Sequence, residues 1–489
     1  MFLKRPLTAL ATFLAVALAF TVAARSGDQG RAFLPNGMHF PNPAGTSSTY
    51  STTGRIDLTG PFFQSIGSNG RSCGTCHQPS DGMSVSAAHV QERFDASGGT
   101  DPIFRTVDGS NCNHDIDVST VAGRSSAYSL LRTRGLIRVA IKVPASADFD
   151  VTSVDNPYGC NERDTVSQYR RPLPSTNLRF LSAVMVDGRE SSPLTGTTKI
   201  LPANFPGSLE SDLRHQSVDA TTGHAQGDGS RPTTAEQQQI LDFEMSLYTA
   251  QATGKGTGNL NALGATGGPE GMIPQSYFIG INSQIPMFEN PLSSPFTPAI
   301  FNTFGAWSSL PPNAPRAAVA RGQLLFNSKP ISITGVAGLN DDKAAGGLVA
   351  GGIQVIPGTC GTCHDTPNVG NHSFPTPLNI GTGDPNPANP SVNLGGLDIS
   401  YLPKITVVNH ATLAQKTSTD LGQALIDGRY DHVGKIKGPI LRGLAARAPY
   451  FHNGSAQTLL DAIHFYEVRF GVVFTPQEEA DLVAFLNSL

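Results

Sequence analysis

The pentapeptide Cys-Gly-Thr-Cys-His occurs twice, at residues 73–77 and 360–364, and no other feature restricts the fold of this chain as much. Two thiols three positions apart, followed at once by an imidazole, form the attachment site of c-type haem. Both sulfurs reach one porphyrin edge and the histidine supplies the proximal nitrogen. Cys73, Cys76, Cys360 and Cys363 are then covalent anchors, and His77 and His364 are axial ligands of two haem c groups. Cys-x-x-Cys alone also serves zinc sites and redox dithiols. Zinc needs two further ligands close by, and a dithiol has no use for the adjoining histidine, so the repeated full motif favours haem.

Lys4 and Arg5 precede a mostly apolar run over residues 7–20, and Val22, Ala23 and Ala24 offer small side chains for cleavage. Residues 1–24 are therefore expected to be a secretory signal peptide. No later stretch approaches the ~20 apolar residues of a spanning helix, so no transmembrane segment is expected. Export suits the remaining cysteines. Cys112 and Cys160 would most simply form a disulfide in an oxidising space, with two unpaired thiols as the alternative. Covalent haem in that space points to a periplasm.

At 489 residues and 39% apolar content the chain has room for several domains with buried cores. Its formal charge is −4, and loss of Lys4 and Arg5 leaves it at −6, without the basic surface that nucleic acid requires. Fifty-two glycines and 36 prolines imply many turns and long connections. The expected organisation is an N-terminal c-type haem domain over residues 25–252, interrupted by an insertion at about 95–170. A Gly/Pro-rich connection over 253–312 follows, its Gly-rich part at 254–271 reading as a linker, then a C-terminal c-type haem domain over 313–489. The insertion holds a β-like run at 136–143. Helices are signalled by the capping box of Thr233 and Glu236, by residues 315–326, and by Thr475, Pro476 and Glu478 before Leu482, Phe485, Leu486 and Leu489. A Gly-rich excursion spans 328–358. The fold class expected is mainly α: two cytochrome c-like haem domains with long loops and a small β-containing insertion.

The order of the first haem motif, Asp187-Gly188-Arg189-Glu190, the second haem motif, Gly438-Pro439-Ile440-Leu441-Arg442 and the block from Ala448 through Ser455 resembles the bacterial dihaem cytochrome c peroxidase family. That family includes the dihaem enzyme that matures the tryptophan-derived cofactor of methylamine dehydrogenase, and rubber oxygenases look like distant cousins. The resemblance covers most of the chain beyond residue 60, except 95–170 and 328–358. It implies a division of labour in which the haem on His77 meets peroxide and the haem on His364 takes electrons from a donor. It also admits a calcium ion between the units.

Departures from that family shape the remaining expectations. Residues 161–169, the nearest equivalent of a ligand-bearing loop, hold no histidine, so the first haem is expected to be five-coordinate. The family's acid/base glutamate falls at Gln226, which cannot shuttle a proton. His224 is the first candidate, Glu190 the second, and a loop role for His224 the plain alternative. Val186 stands where the family has a relay tryptophan. The only tryptophan is Trp307, and Tyr169 and Tyr430 are alternative relays. For the sixth ligand of the second haem, one frame puts Ala424 in the methionine position, and the last methionine of the chain is Met287. Another frame offers Tyr430. His452 is a third option and His432 a fourth. Arg189 and Arg442 suit haem propionates. His89, His215, His372, His410 and His464 read as surface or core residues.

The reading is a periplasmic dihaem c-type peroxidase that reduces hydrogen peroxide to water with electrons from a small c-type cytochrome or cupredoxin. The alternatives are a dihaem oxidase acting on a protein or organic substrate, and a non-catalytic dihaem electron carrier.

Overall fold

Polar strands organise much of this chain. A computed structural model describes residues 31–181, 183–191, 207–275, 302–341, 354–364, 377–385 and 397–489. The expected leader, His372, residues 276–301 of the connection and residues 342–353 of the Gly-rich excursion lie outside them. Among the described residues helix accounts for 34% and strand for 19%, the strands distributed over several sheets. The expectation of a mainly α fold of two cytochrome c-like domains is overturned.

The reason is visible in the strand Gly45–Ser51, whose sequence GTSSTYS lacks apolar alternation. Ser47, Ser48, Thr49 and Ser51 are nonetheless buried. The strand pairs with His39–Asn42 on one side and Leu247–Gly254 on the other, and Leu247–Gly254 pairs in turn with Gly258–Asn259. Three of its hydroxyls meet hydroxyls across the ladder: Thr49 and Thr249 lie 2.8 Å apart, Thr46 and Thr253 2.7 Å, and Ser51 and Ser246 2.9 Å. Cross-strand hydroxyl pairs satisfy what burial would otherwise leave unbonded.

The segment expected as an insertion is woven into the rest. Ile137–Lys142 pairs with Thr165–Arg170, and Phe149–Asp155 joins Lys404–Asn409 and Gln415–Ser418 in an antiparallel three-stranded sheet. Phe149, Val151 and Val166 thereby share a core with Ile405, Val407 and Leu421. The expected disulfide between Cys112 and Cys160 is present and buried.

The signalled helices form where their caps stand: Thr234–Ser246, Pro315–Ser328 and Pro476–Leu486, the first and last with complete capping boxes. Pro315–Ser328 packs on Pro476–Leu486 at Gly322, where a Cβ would meet the backbone oxygen of Asp481. Phe304, Trp307, Phe326 and Phe485 fill the core beside that contact, and Leu260 from the Gly-rich stretch is fully buried among them. Residues Ala32–Leu489 belong to one unit.

Candidate functional site

Both Cys-x-x-Cys segments fold as one helical turn, Cys73–Cys76 and Cys360–Cys363, with the histidine at the C-cap. The flanking residues dictate this. Ser72 N–H donates to Thr75 Oγ1 at 2.9 Å, and Thr359 N–H to Thr362 Oγ1 at 2.9 Å. His77 N–H donates to Cys73 O at 3.0 Å and His364 N–H to Cys360 O at 2.9 Å. A phenylalanine then packs on each imidazole: Phe62 lies 6.1 Å from His77 at 56°, and Phe326 lies 6.3 Å from His364 at 48°. Gly74 is required, because any Cβ there would enter the Phe63 ring.

The donor chemistry at these turns fits haem better than zinc or a redox dithiol. Burial pushes the Cys73 and Cys360 thiols up to about 12 and raises Cys76 as well. Among the described residues no cluster of three metal-ligating side chains includes these cysteines, as a zinc site would require, and a thioether carries no charge to desolvate. His77 Nδ1 lies 3.1 Å from Met83 O. A carbonyl only accepts, so Nδ1 carries the hydrogen and Nε2 keeps its lone pair. Burial, opposed by that bond and aided by nearby His224, lowers the His77 pKa to about 4. The ring is therefore neutral at ordinary pH, the form that binds a metal.

His224 closes the helix Leu209–His224. Its Nδ1 lies 2.5 Å from Asp108 Oδ2, and Asp108 is also ion-paired to Arg71, two residues before Cys73. Arg71 Nη1 further donates to His224 O at 3.2 Å. Burial would raise the Asp108 pKa, but the His224 hydrogen bond and charge and the Arg71 guanidinium outweigh it and hold the carboxyl below its usual range. An ionised carboxylate only accepts, so His224 Nδ1 is the donor and Nε2 is left for chemistry. Neither Asp108 nor Arg71 was expected. Asp108 lies in the 95–170 segment read as an insertion, and no spacing rule connects it to residue 224.

Glu190 is 2% exposed and accepts from His215 Nδ1 at 2.7 Å. Burial raises its pKa, the His215 bond opposes the rise, and Asp219 adds to it. His215, expected as an ordinary surface or core residue, thus belongs to this cluster. Glu190 and His224 line one cleft of about 800 Å³ with Asp108, Asp219, Arg138 and Lys142. Gln226 is exposed and turned elsewhere: its Oε1 accepts from Asn69 Nδ2 at 3.2 Å.

The candidates for the second iron stand in different surroundings. His452 is buried, neither ring nitrogen has a hydrogen-bond partner, and Nε2 lies 3.6 Å from Asp420 Oδ2. Burial, with Asp420 opposing, lowers its pKa to about 4. Tyr430 packs in the core of Phe149, Val151 and Ile405, with Lys416 Nζ 4.5 Å from its ring centroid. His432 bonds Asp427 at 2.5 Å. Arg189 Nη1 meets Asp187 Oδ2 at 3.0 Å, and burial lowers the Arg442 pKa to about 10. Trp307 is fully buried and donates to Ala262 O at 2.8 Å. Tyr169 donates to Asn111 O at 2.5 Å.

No family model and no curated protein matches this chain. A solved structure described as a MauG-like protein associated with microbial copper homeostasis aligns with 88% of this chain and 87% of that one, at 14% identity and a TM-score of 0.30. So loose an overlap transfers no activity. Among the described residues no helix is long and apolar enough to cross a membrane.

Proposed function

We propose that this protein is a periplasmic dihaem c-type oxidoreductase that reduces hydrogen peroxide to water with electrons from a small c-type cytochrome or cupredoxin. The observation that carries the reading is the pair of matching Cys-x-x-Cys-His turns, each capped alike and each with a phenylalanine on its imidazole. Haem bound there, through Cys73, Cys76 and His77 and through Cys360, Cys363 and His364, supplies redox-active iron.

The chain's own contribution is to hold and move a proton. His224 Nε2 takes the proton of the incoming peroxide and returns it to the departing oxygen. Asp108 fixes the tautomer that leaves Nε2 open, and the His224 hydrogen bond together with Arg71 keeps Asp108 ionised. His452, neutral and with both ring nitrogens unbonded, is reserved for the second iron.

Acid-denatured protein is expected to retain two covalent porphyrins by mass, and pigment extractable into organic solvent would end the case. With a reduced cytochrome donor, His224→Ala should lower peroxide turnover by roughly 10²-fold or more. An unchanged rate removes His224 from the proton path. A second reading, oxidation of an organic substrate, is favoured by one observation: the cleft beside His224, at about 800 Å³, far exceeds the needs of peroxide.

A further inference from the structure

Most charges around the cleft pair off, but among the described residues Asp219, Arg138 and Lys142 have no ion-pair partner. Asp108 is held by Arg71 and His224, Arg189 by Asp187, Glu162 by His114 at 2.7 Å, and Glu190 by His215. Arg138 is only 6% exposed. Its Nη1 donates to Ser167 Oγ at 3.2 Å and its Nη2 to Val107 O at 2.6 Å, both neutral acceptors, and its Nε has no hydrogen-bond partner among the described residues. A guanidinium taken out of water against neutral groups, with a donor left unused, is a site short of an anion.

The strand Ile137–Lys142 explains the placement. Its side chains alternate between faces, so Arg138, Ala140 and Lys142 share one. Arg138 stands at the buried end and Lys142 at the exposed end, roughly 13 Å apart at the rise of an extended strand. Val107, Ala140 and Met185 contribute apolar surface to the same cleft. Lys142 would draw an anion in and Arg138 would hold it.

We infer that this cleft binds an organic carboxylate with an apolar body, its carboxylate seated on Arg138 and its body directed along the cleft toward His224. The inference rests on the second reading above, since it names the class of substrate that reading requires. His224 lines the cleft and its carbonyl accepts from Arg71 Nη1 at 3.2 Å, two residues before Cys73, so an occupant would lie near the first Cys-x-x-Cys-His turn. Burial, opposed mainly by Tyr169, Asp108 and Glu162, lowers the Arg138 pKa, as expected of a cation awaiting a counter-ion.

The test is calorimetric titration of the full-length ferric holoprotein with acetate, butyrate and phenylacetate, and with phenylacetamide as the uncharged counterpart, all at one ionic strength. Saturable binding of at least one carboxylate is expected, tightening from acetate to phenylacetate, with phenylacetamide weaker by about tenfold or more, the scale of a lost charge-assisted pair. Arg138→Gln should weaken phenylacetate by a similar factor. Lys142→Glu, an exposed change that leaves the fold intact, should weaken it several-fold and flatten its salt dependence. The subsite is overturned if none of the carboxylates binds saturably, if phenylacetamide binds as well as phenylacetate, or if both variants bind as the parent does. Peroxide turnover is measured separately. Carboxylate binding without turnover keeps the subsite and discards the proposed function, and turnover without carboxylate binding does the reverse.

Discussion

Glu244 shows what one buried carboxyl does near the first haem motif. It is 5% exposed, its Oε2 lacks a hydrogen-bond partner, and it lies close enough to Cys73 to raise that thiol. Burial, with Ser175 opposing, pushes its pKa up to about 8. A carboxyl raised above its unfolded value near 4.3 contributes stability that is complete below that value and is lost as pH rises through the folded one. Wild-type melting temperature should therefore fall between pH 5 and 9. Glu244→Gln, neutral throughout, should fall less, so that the variant gains on the parent as pH rises; parallel melting curves across that range would count against a protonated Glu244. At this same scale the motif residues were legible from order alone. Asp108 was not, because its tie to His224 spans 116 positions and depends on two elements meeting.

Among the elements, the polar strands and the small-residue helix contact carry the sharpest expectations. Thr249 accepts or donates to both Thr49 at 2.8 Å and Thr176 at 2.9 Å, all three buried. Thr249→Val preserves shape but strands two hydroxyls, so guanidinium unfolding should show a loss of about 1–3 kcal/mol. Gly322→Ala should cost about 1–3 kcal/mol by the same measurement, since the added methyl meets the Asp481 backbone in a fully packed interface. The capped helices were readable because Thr233, Glu236, Thr475, Pro476 and Glu478 act within one turn. The strand Gly45–Ser51 was not, because its burial depends on hydroxyl partners about 200 positions away rather than on an apolar pattern of its own.

At the scale of the whole molecule, Arg170 joins distant parts of the chain. Its Nη1 meets Asp187 at 2.5 Å, and its Nε and Nη2 meet the two oxygens of Asp420 at 2.6 and 2.8 Å, with all three residues buried. Burial would raise Asp187, but Arg189 and Arg170 hold it down to about 2, and Asp420 is likewise lowered by Arg170 against its burial. Carboxyls lowered in the folded state contribute stability present above the usual carboxylate range near 4 and lost as pH falls toward 2. Acid unfolding followed by circular dichroism should steepen in that window. Asp420→Asn should lose about 3–5 kcal/mol at neutral pH, because it leaves a buried guanidinium short of charge, and should show a shallower acid dependence. A variant matching the parent at neutral pH would mean that the clamp is dispensable.

Local structure was readable from the residue order itself: two Cys-x-x-Cys-His turns, two spare cysteines able to pair, and helices where capping residues precede an apolar stripe within a few positions. Folding alone decided that residues 149–155 pair with 404–409, that hydroxyl-rich segments become interior strands, and that Asp108, His224, Glu190 and Arg138 border one cleft. Hydrogen bonds within a turn leave a spacing that can be read along the chain. Partnerships across sheets and between buried charges leave none, because each residue's polarity makes sense only beside a neighbour that the chain brings to it in three dimensions.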